Sequence, residues 1–159
     1  MKNTHTPQQK RKRKGKTDYR ARVKLLASNK PRLVIRKTNT RIIMQIINYE
    51  QGGDCIAASA DSSELKKLGW TRGTKNVAAA YLTGLLLGKK AKTREAVLDI
   101  GLTPSIKGSR VYAALKGAID AGMKVPCQKE MFPDQKRLEG EHLSKGAKPE
   151  IEKVRQKIR

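Results

Sequence analysis

RLVIRKTNTRIIMQIINYEQGGDCIAASA, residues 32–60, predicts the β-sheet on which this fold is built. Short polar and glycine-rich turns divide it into three predicted strands, residues 32–37, 41–50 and 55–60. In the first strand, Leu33 and Ile35 point to one face, and Arg32 and Arg36 to the other. Because short turns join consecutive strands, the expected arrangement is an antiparallel meander.

The longest helical pattern of the chain follows over residues 76–90. Apolar residues recur there at helical spacing and spread so far round the helix that most of it is predicted to be buried. Ala80, Gly84 and Gly88 form a stripe of small residues, which would let the helix backbone approach the sheet closely. A shorter helix is expected before it, capped by Ser62 or Ser63.

A further strand and helix complete the predicted core. Residues 95–101, EAVLDIG, resemble a strand buried on both faces, and the helical crossover before them implies parallel pairing. Ser109 is expected to cap the last core helix. The resulting order, βββαβα, predicts a layered α/β domain.

Residues 10–26, KRKRKGKTDYRARVKLL, form a basic arm that leads into a helix. Its like charges repel one another, so the run should be disordered by itself and ordered by a dense counter-charge such as a nucleic-acid backbone. Thr17 and Asp18 are N-cap residue types, and the segment after them favours helix. The residues predicted here to contact RNA are Lys10, Arg11, Lys12, Arg13, Lys14, Lys16, Thr17, Tyr19, Arg20, Arg22 and Lys24.

Composition supports a polyanionic partner. Thirty-six Lys and Arg against 14 Asp and Glu give 159 residues a formal net charge of +22. The amino terminus has no apolar segment typical of a secretory signal, and the longest apolar stretch is too short to span a bilayer. Cys55 and Cys127 lack the spacing of a disulfide framework or zinc site, which favours the cytosol and argues against a metal. A membrane partner is not expected, since the basic arm has no apolar anchoring face and no lipidation motif.

Further cations are candidates for RNA contact outside the arm. Arg32, Arg36, Lys37 and Arg41 flank the first hairpin on what is expected to be one exposed edge. Arg72 lies in a loop beside Trp70, which could contact RNA or pack into the core. Lys107 and Arg110 lie near a helix N-terminus, where backbone N–H groups favour phosphate.

No catalytic arrangement is evident, and the chain is not expected to be an enzyme. Cys127 and His142 could form a nucleophile and base, but both lie in a weakly apolar tail without a third orienting group. A two-metal nuclease needs clustered carboxylates on central strands, whereas Asp99 stands alone on its strand. No cofactor motif is present, so we expect no cofactor and no catalytic residue.

The chain is expected to divide into three parts: residues 1–30 as the basic arm and helix, 31–125 as the α/β core, and 126–159 as a C-terminal extension. The extension has few apolar residues and many charges. Short helices are possible over residues 134–143 and 149–158, but neither could form a core of its own. We therefore expect the extension to lie on a partner molecule.

Five blocks, in order, resemble a known family: GKTDYRARVKLL, KPRLVIRKTNTRI, SSELKKLGWTRGT, AAYLTGLLLGKKA and FPDQKRLEGEHL. The resemblance is to the archaeal and eukaryotic-type 5S-rRNA-binding protein of the large ribosomal subunit, and it covers nearly the whole chain. It implies a ribonuclease-H-like α/β core of the translational machinery component type, used for binding and not for catalysis. The tail after Pro126 is similar to an archaeal-type extension.

The resemblance also implies partners. Such proteins sit in the central protuberance, attach 5S rRNA to 23S-type rRNA and meet the fifth large-subunit protein, which would place this chain in the cytoplasmic ribosome. Their basic N-terminal segment and the face of their first hairpin contact 5S rRNA. The alternative is a non-ribosomal, basic architectural protein that binds nucleic acid. DNA is not expected as the partner, since neither a groove-reading helix nor wedge residues are evident.

Overall fold

The computed structural model describes residues 7–143 and 147–158. Six residues of the predicted arm and four of the predicted extension therefore lie outside the described residues. The helices are α1 (Lys10–Arg13), α2 (Tyr19–Leu26), α3 (Val77–Lys90), α4 (Arg110–Asp120), α5 (Gln135–Leu138) and α6 (Ala147–Ile158). The strands are β1 (Arg32–Lys37), β2 (Ile42–Glu50), β3 (Gly53–Asp61) and β4 (Val97–Asp99), and 3₁₀ helices span Ser62–Leu68 and Lys129–Met131.

The four strands form one mixed sheet in the order β3-β2-β1-β4. The first three pair antiparallel, and β4 pairs parallel to β1, as the sequence predicts. The fourth strand is shorter than predicted, because the Asp99 side chain accepts a hydrogen bond from the Gly101 backbone at 2.9 Å and the chain turns there. The predicted βββαβα core of a layered α/β domain is confirmed.

Helices α3 and α4 cover one face of the sheet and lie against each other. Leu33, Ile35, Met44 and Ile46 are fully buried beneath them in a single apolar cluster. These side chains are buried together because alternate residues of a strand point to the same face, which here is the face that the helices cover.

The small-residue stripe brings α3 close to α4, and not to the sheet as predicted. A Cβ atom on Gly84 would lie 2.0 Å from the carbonyl oxygen of Ala114, and one on Gly117 would lie 2.1 Å from that of Tyr81. The two helices thus contact backbone to backbone at a pair of facing glycines. Sequence periodicity identifies the face of a helix but not which neighbour that face meets.

The first 3₁₀ helix is capped by Asp61, and the prediction of Ser62 or Ser63 is wrong. The Asp61 carboxylate accepts from the Ser63 backbone at 2.8 Å, while Glu64 accepts from the Asp61 backbone at 3.0 Å. This is a capping box. Ser62 is buried instead and accepts a hydrogen bond from the Ile42 backbone at 2.9 Å, which ties the helix to the start of β2.

The C-terminal segment packs on the core of this same chain, so the expectation that it lies on a partner is wrong. Ile151, Val154 and Ile158 on one face of α6 are at most 5% exposed and join the main apolar cluster. Glu150 accepts hydrogen bonds from the Thr71 backbone at 2.6 Å and the Thr71 hydroxyl at 2.9 Å. The apolar residues of α6 are too few to predict a buried helix from the sequence. In the folded chain they lie on one face and complete the core.

Candidate nucleic-acid interface

The basic arm is folded back on itself. Lys10–Arg13 form one helical turn, so the disorder predicted for the isolated run is wrong for these four residues. Arg11 Nε donates to Thr17 Oγ1 at 2.9 Å across the turn. Asp18 caps α2 by accepting from the Arg20 and Ala21 backbones at 2.9 and 3.1 Å, as its residue type predicts.

A chain of alternating charges connects α2 to the sheet. Arg22 Nη2 and Arg32 Nη2 both donate to Asp54 Oδ2, at 2.8 and 2.7 Å. Arg32 Nη1 donates to Asp99 Oδ2 at 2.9 Å, and Arg36 Nη2 donates to Asp99 Oδ1 at 2.8 Å. Three arginines thus share two carboxylates, so the network carries one net positive charge.

Arg32 stands at the centre of this network and is only 3% exposed. Its predicted place on an exposed edge is therefore wrong, and it is not available to a phosphate. The sequence could not show this, because Asp99 lies 67 residues away and is brought alongside by the parallel pairing of β1 and β4. The role of Arg32 is to hold Asp54 and Asp99 in place.

Asp99 is ionised in spite of its burial. Burial acts to raise the pKa of this carboxyl group, but hydrogen bonds from Arg36, Gly101 and Arg32 and the nearby Arg36 charge outweigh it. The pKa of Asp99 is consequently held below its ordinary value. A fixed carboxylate at this point orients both arginines beside it.

Arg36 is oriented by the same carboxylate but remains accessible. Its Nη1 also donates to the Asp99 carbonyl at 2.7 Å, while its side chain is 42% exposed. Gly101, at a φ of +61°, makes room for the guanidinium: a Cβ there would lie 2.9 Å from Arg36 Cζ. Arg36 therefore presents one edge of a positioned guanidinium to solvent.

An open groove of about 790 Å³ lies between the arm, α2 and the β1–β4 edge, and we call it the arm groove. Seven Lys or Arg side chains and two Asp side chains line it. Its basic residues are Arg11, Lys16, Arg22, Lys24, Arg32, Arg36 and Lys37. Within the described part of the chain, Lys16, Lys24 and Lys37 form no ion pair and are exposed. The groove thus joins part of the predicted arm cations and three of the four hairpin cations into one surface.

A second groove, of about 680 Å³, lies where α3 and α4 begin, and we call it the helix-end groove. Its cations are Lys37, Lys75, Arg110 and Arg137, and none of its lining residues in the described segments is acidic. Arg110 Nη1 donates to the Lys75 carbonyl at 3.1 Å, which holds the starts of the two helices together. Lys37 belongs to both grooves.

The other predicted contact residues lie outside the two grooves. Those that are exposed are Lys10, Lys12, Arg13, Lys14, Arg20, Arg41 and Lys107. Tyr19 is half-buried. Arg41 pairs with Asp61 at 3.2 Å. Their exposure leaves them able to contact RNA, but the structure does not bring them to one place.

The loop after the first 3₁₀ helix is part of the core and not a free RNA contact. Trp70 is 2% exposed and donates through Nε1 to the Gly73 carbonyl at 3.2 Å. Arg72 Nε donates to Glu150 at 2.9 Å. Of the two interpretations of Trp70, core packing is correct, and Arg72 joins this loop to α6.

Several residues of the site escaped sequence reasoning. Asp54 was not a candidate, and Asp99 was expected to stand alone, because the Arg32 contacts that join the two carboxylates are not visible in sequence. Arg137 was also missed, because it lies 62 residues from Lys75 in the sequence and lines the same groove only in the folded chain. An acid on an otherwise apolar strand of a very basic chain was the available signal.

No arrangement typical of catalysis is present among residues 7–143 and 147–158. They contain no group of three or more His, Cys, Asp or Glu residues that could hold a metal ion. Burial raises the pKa of the Cys127 thiol, which disfavours the reactive thiolate. In the same described ranges, no helix is long and apolar enough to cross a membrane.

Comparison with known proteins explains this basic, non-catalytic surface. The chain matches the model of the family described as "Ribosomal large subunit proteins 60S L5, and 50S L18" over residues 4–95 and 89–128. The chain belongs to this family. The match includes the arm, α2 and the whole sheet, which are the elements that form the arm groove.

Archaeal relatives named large ribosomal subunit protein uL18 are similar over most of their length. The Methanothermobacter thermautotrophicus protein is 55% identical over 136 residues, covering 84% of this chain and 71% of the relative. The Korarchaeum cryptofilum protein is 55% identical, covering 84% and 70%. The Methanoregula boonei protein is 48% identical, covering 84% and 79%.

Family membership confirms several expectations drawn from the sequence. The chain is a structural, non-enzymatic protein of the large ribosomal subunit, and its place is the cytoplasmic ribosome. Ribosomal RNA and other ribosomal proteins are therefore its class of partner. The alternative of a non-ribosomal architectural protein is overturned by the same findings.

Proposed function

We propose that this protein binds 5S rRNA and anchors it to the 23S-type rRNA in the central protuberance, beside the fifth large-subunit protein. The observation that carries the proposal is the arm groove, which gathers cations from the arm, α2 and β1 on one open surface. Resemblance to the 5S-rRNA-binding family supports the choice of RNA. The contact residues proposed are those of the arm and of α2, together with Arg36, Lys37, Arg41, Lys107 and Arg110.

The proposed mechanism combines charge and shape. Exposed Lys16, Lys24 and Lys37 neutralise phosphates and release counterions, which supplies affinity without base specificity. Arg36, whose guanidinium is fixed by Asp99, supplies a contact of defined direction. Specificity then comes from RNA shape, unpaired loops and 2′-hydroxyl groups.

The test is binding of the purified protein to 5S rRNA across a salt series, beside transfer RNA and duplex DNA of equal length. If about six phosphates are neutralised, affinity for 5S rRNA falls roughly a thousandfold between 50 and 200 mM salt. Preference for 5S rRNA persists at the high-salt end, because shape recognition does not depend on counterions. Equal affinity for all three nucleic acids would overturn the proposal.

Removing cations from the arm groove is expected to flatten this salt dependence. Lys24→Gln/Lys37→Gln lowers the steepness of log affinity against log salt by about two, one for each lost phosphate contact. The control is Lys66→Gln/Lys67→Gln, which removes the same charge from two exposed residues of the first 3₁₀ helix, outside both grooves. Equal slopes for the two variants would show that net charge, and not the groove, binds the RNA.

A further inference from the structure

The loop between β4 and α4 separates the two basic grooves. Thr103 and Pro104 line both grooves, and we call residues 101–107 the divider loop. Leu102 lines the arm groove and is 56% exposed, while Ile106 lines the helix-end groove and is 57% exposed. Each groove therefore contains a large exposed aliphatic side chain, and both side chains come from the same short loop.

The divider loop is held in shape by its own backbone. The Thr103 backbone donates to the Ile100 carbonyl at 3.2 Å, and the Ser109 backbone donates to the Ile106 carbonyl at 3.2 Å. Gly101 at its start and Gly108 directly after its end take positive φ values of +61° and +70°. The exposed side chains thus project from a fixed ridge and lose little freedom on contact with a ligand.

We propose that the divider loop is an apolar wedge for unstacked RNA bases, with Leu102 and Ile106 contacting base faces while the grooves on either side hold the phosphates. This inference rests on the proposed RNA binding and extends it from phosphate contact to base contact. A protein partner would also cover exposed aliphatic side chains. RNA is favoured because cations border the ridge on both sides, with Lys37 common to the two grooves. Apolar side chains inserted beside bases are a known mode of nucleic-acid binding, and unpaired RNA bases are available for such contacts.

Apolar and ionic contacts have different salt dependence, which makes the proposal testable. Leu102→Ser/Ile106→Ser should weaken binding to 5S rRNA by about tenfold at every salt concentration, because apolar area is no longer buried. Its slope of log affinity against log salt stays that of the wild type, because no phosphate contact is lost. The same variant binds fully paired duplex RNA as the wild type does.

The matched control is Tyr49→Ser/Ile56→Ser, which removes two side chains of similar exposure, 59% and 53%, that lie outside both grooves. This control is expected to bind RNA as the wild type does. Leu102→Phe/Ile106→Phe should bind 5S rRNA more tightly than the wild type does, since aromatic rings stack on bases. Thermal unfolding of each variant checks that the fold is intact.

Two results would overturn the wedge. One is equal affinity of the divider-loop variant and its control for 5S rRNA, and the other is an equal loss of affinity on duplex RNA. Failure of the proposed function gives a different result, namely wild-type protein that does not prefer 5S rRNA to transfer RNA. Transfer RNA also has unpaired loops, so the affinities of the divider-loop variant and its control for transfer RNA would still test the wedge.

Discussion

Replacing Asp99 by Ala lowers the free energy of unfolding by about 3 kcal/mol, because the change leaves the buried Arg32 with Asp54 alone, a carboxylate that Arg22 also contacts. Arg32 Nε already has no hydrogen-bond partner and is shielded from solvent, so the guanidinium depends on its two remaining nitrogens and their carboxylates. Urea unfolding followed by circular dichroism measures the loss. The control is Glu95→Ala, which breaks the exposed pair with Lys30 and leaves the urea midpoint unchanged.

A second variant separates charge from packing. Arg32→Met/Asp99→Leu removes the buried charge together with its partner and should recover most of the lost stability, since apolar replacements of similar volume are often neutral or stabilising. Arg36 loses its carboxylate partner in this variant, but its guanidinium is partly exposed and can be hydrated by solvent. If Asp99→Ala has the same urea midpoint as the wild type, the charge network does not contribute to stability.

The same substitution should alter the response to acid. The pKa of Asp99 is lower in the folded protein than in the unfolded chain, where it is about 3.9. Its contribution to stability is therefore complete above about pH 4 and is lost as pH falls through the folded-state pKa. We expect the stability difference between wild type and Asp99→Ala to shrink on acidification. A difference that stays constant from pH 7 to about pH 2 would contradict this linkage.

Replacing Gly84 by Ala costs about 3 kcal/mol of stability, because the new methyl group meets backbone that cannot move without separating α3 from α4. The intruding Cβ would lie 2.0 Å from the Ala114 carbonyl oxygen and 2.8 Å from the Ala118 nitrogen. Alanine favours a helix over glycine by only about 1 kcal/mol, so the clash dominates. Thermal unfolding measures the change.

The control for this prediction is Gly52→Ala. Gly52 lies in the turn between β2 and β3, where a Cβ would meet nothing within 4 Å, and its φ is not positive. The melting temperature of Gly52→Ala should stay close to that of the wild type. If Gly84→Ala has the same melting temperature as this control, the backbone contact between the helices is not a determinant of stability.

Local patterns predict the elements of this fold well, and long-range contacts explain the rest. Alternation in β1 and β2, the Asp18 cap and the crossover to β4 follow from neighbouring residues, so they are visible in sequence. Arg32 was misjudged because its exposure depends on a strand 67 residues further on. Alternation turned it correctly away from Leu33, but the outer face of the sheet is not solvent at that point.

The candidate surface shows the same division. The run of lysines and arginines in the arm predicts a polyanionic partner from charge alone. The grooves that give this charge a shape depend on which segments meet, and Lys75 with Arg137 is the clearest case. The exposure of Leu102 and Ile106 is likewise a property of the folded chain and cannot be seen in the local sequence.

The packing of α6 has a consequence for the order of events during synthesis. Residues 147–158 cover a core whose strands and central helices are made first, so the apolar cluster stays open on that side until α6 has emerged. The arm, α2 and β1 are complete far earlier. A nascent chain can therefore present the arm groove before α6 emerges and covers the core.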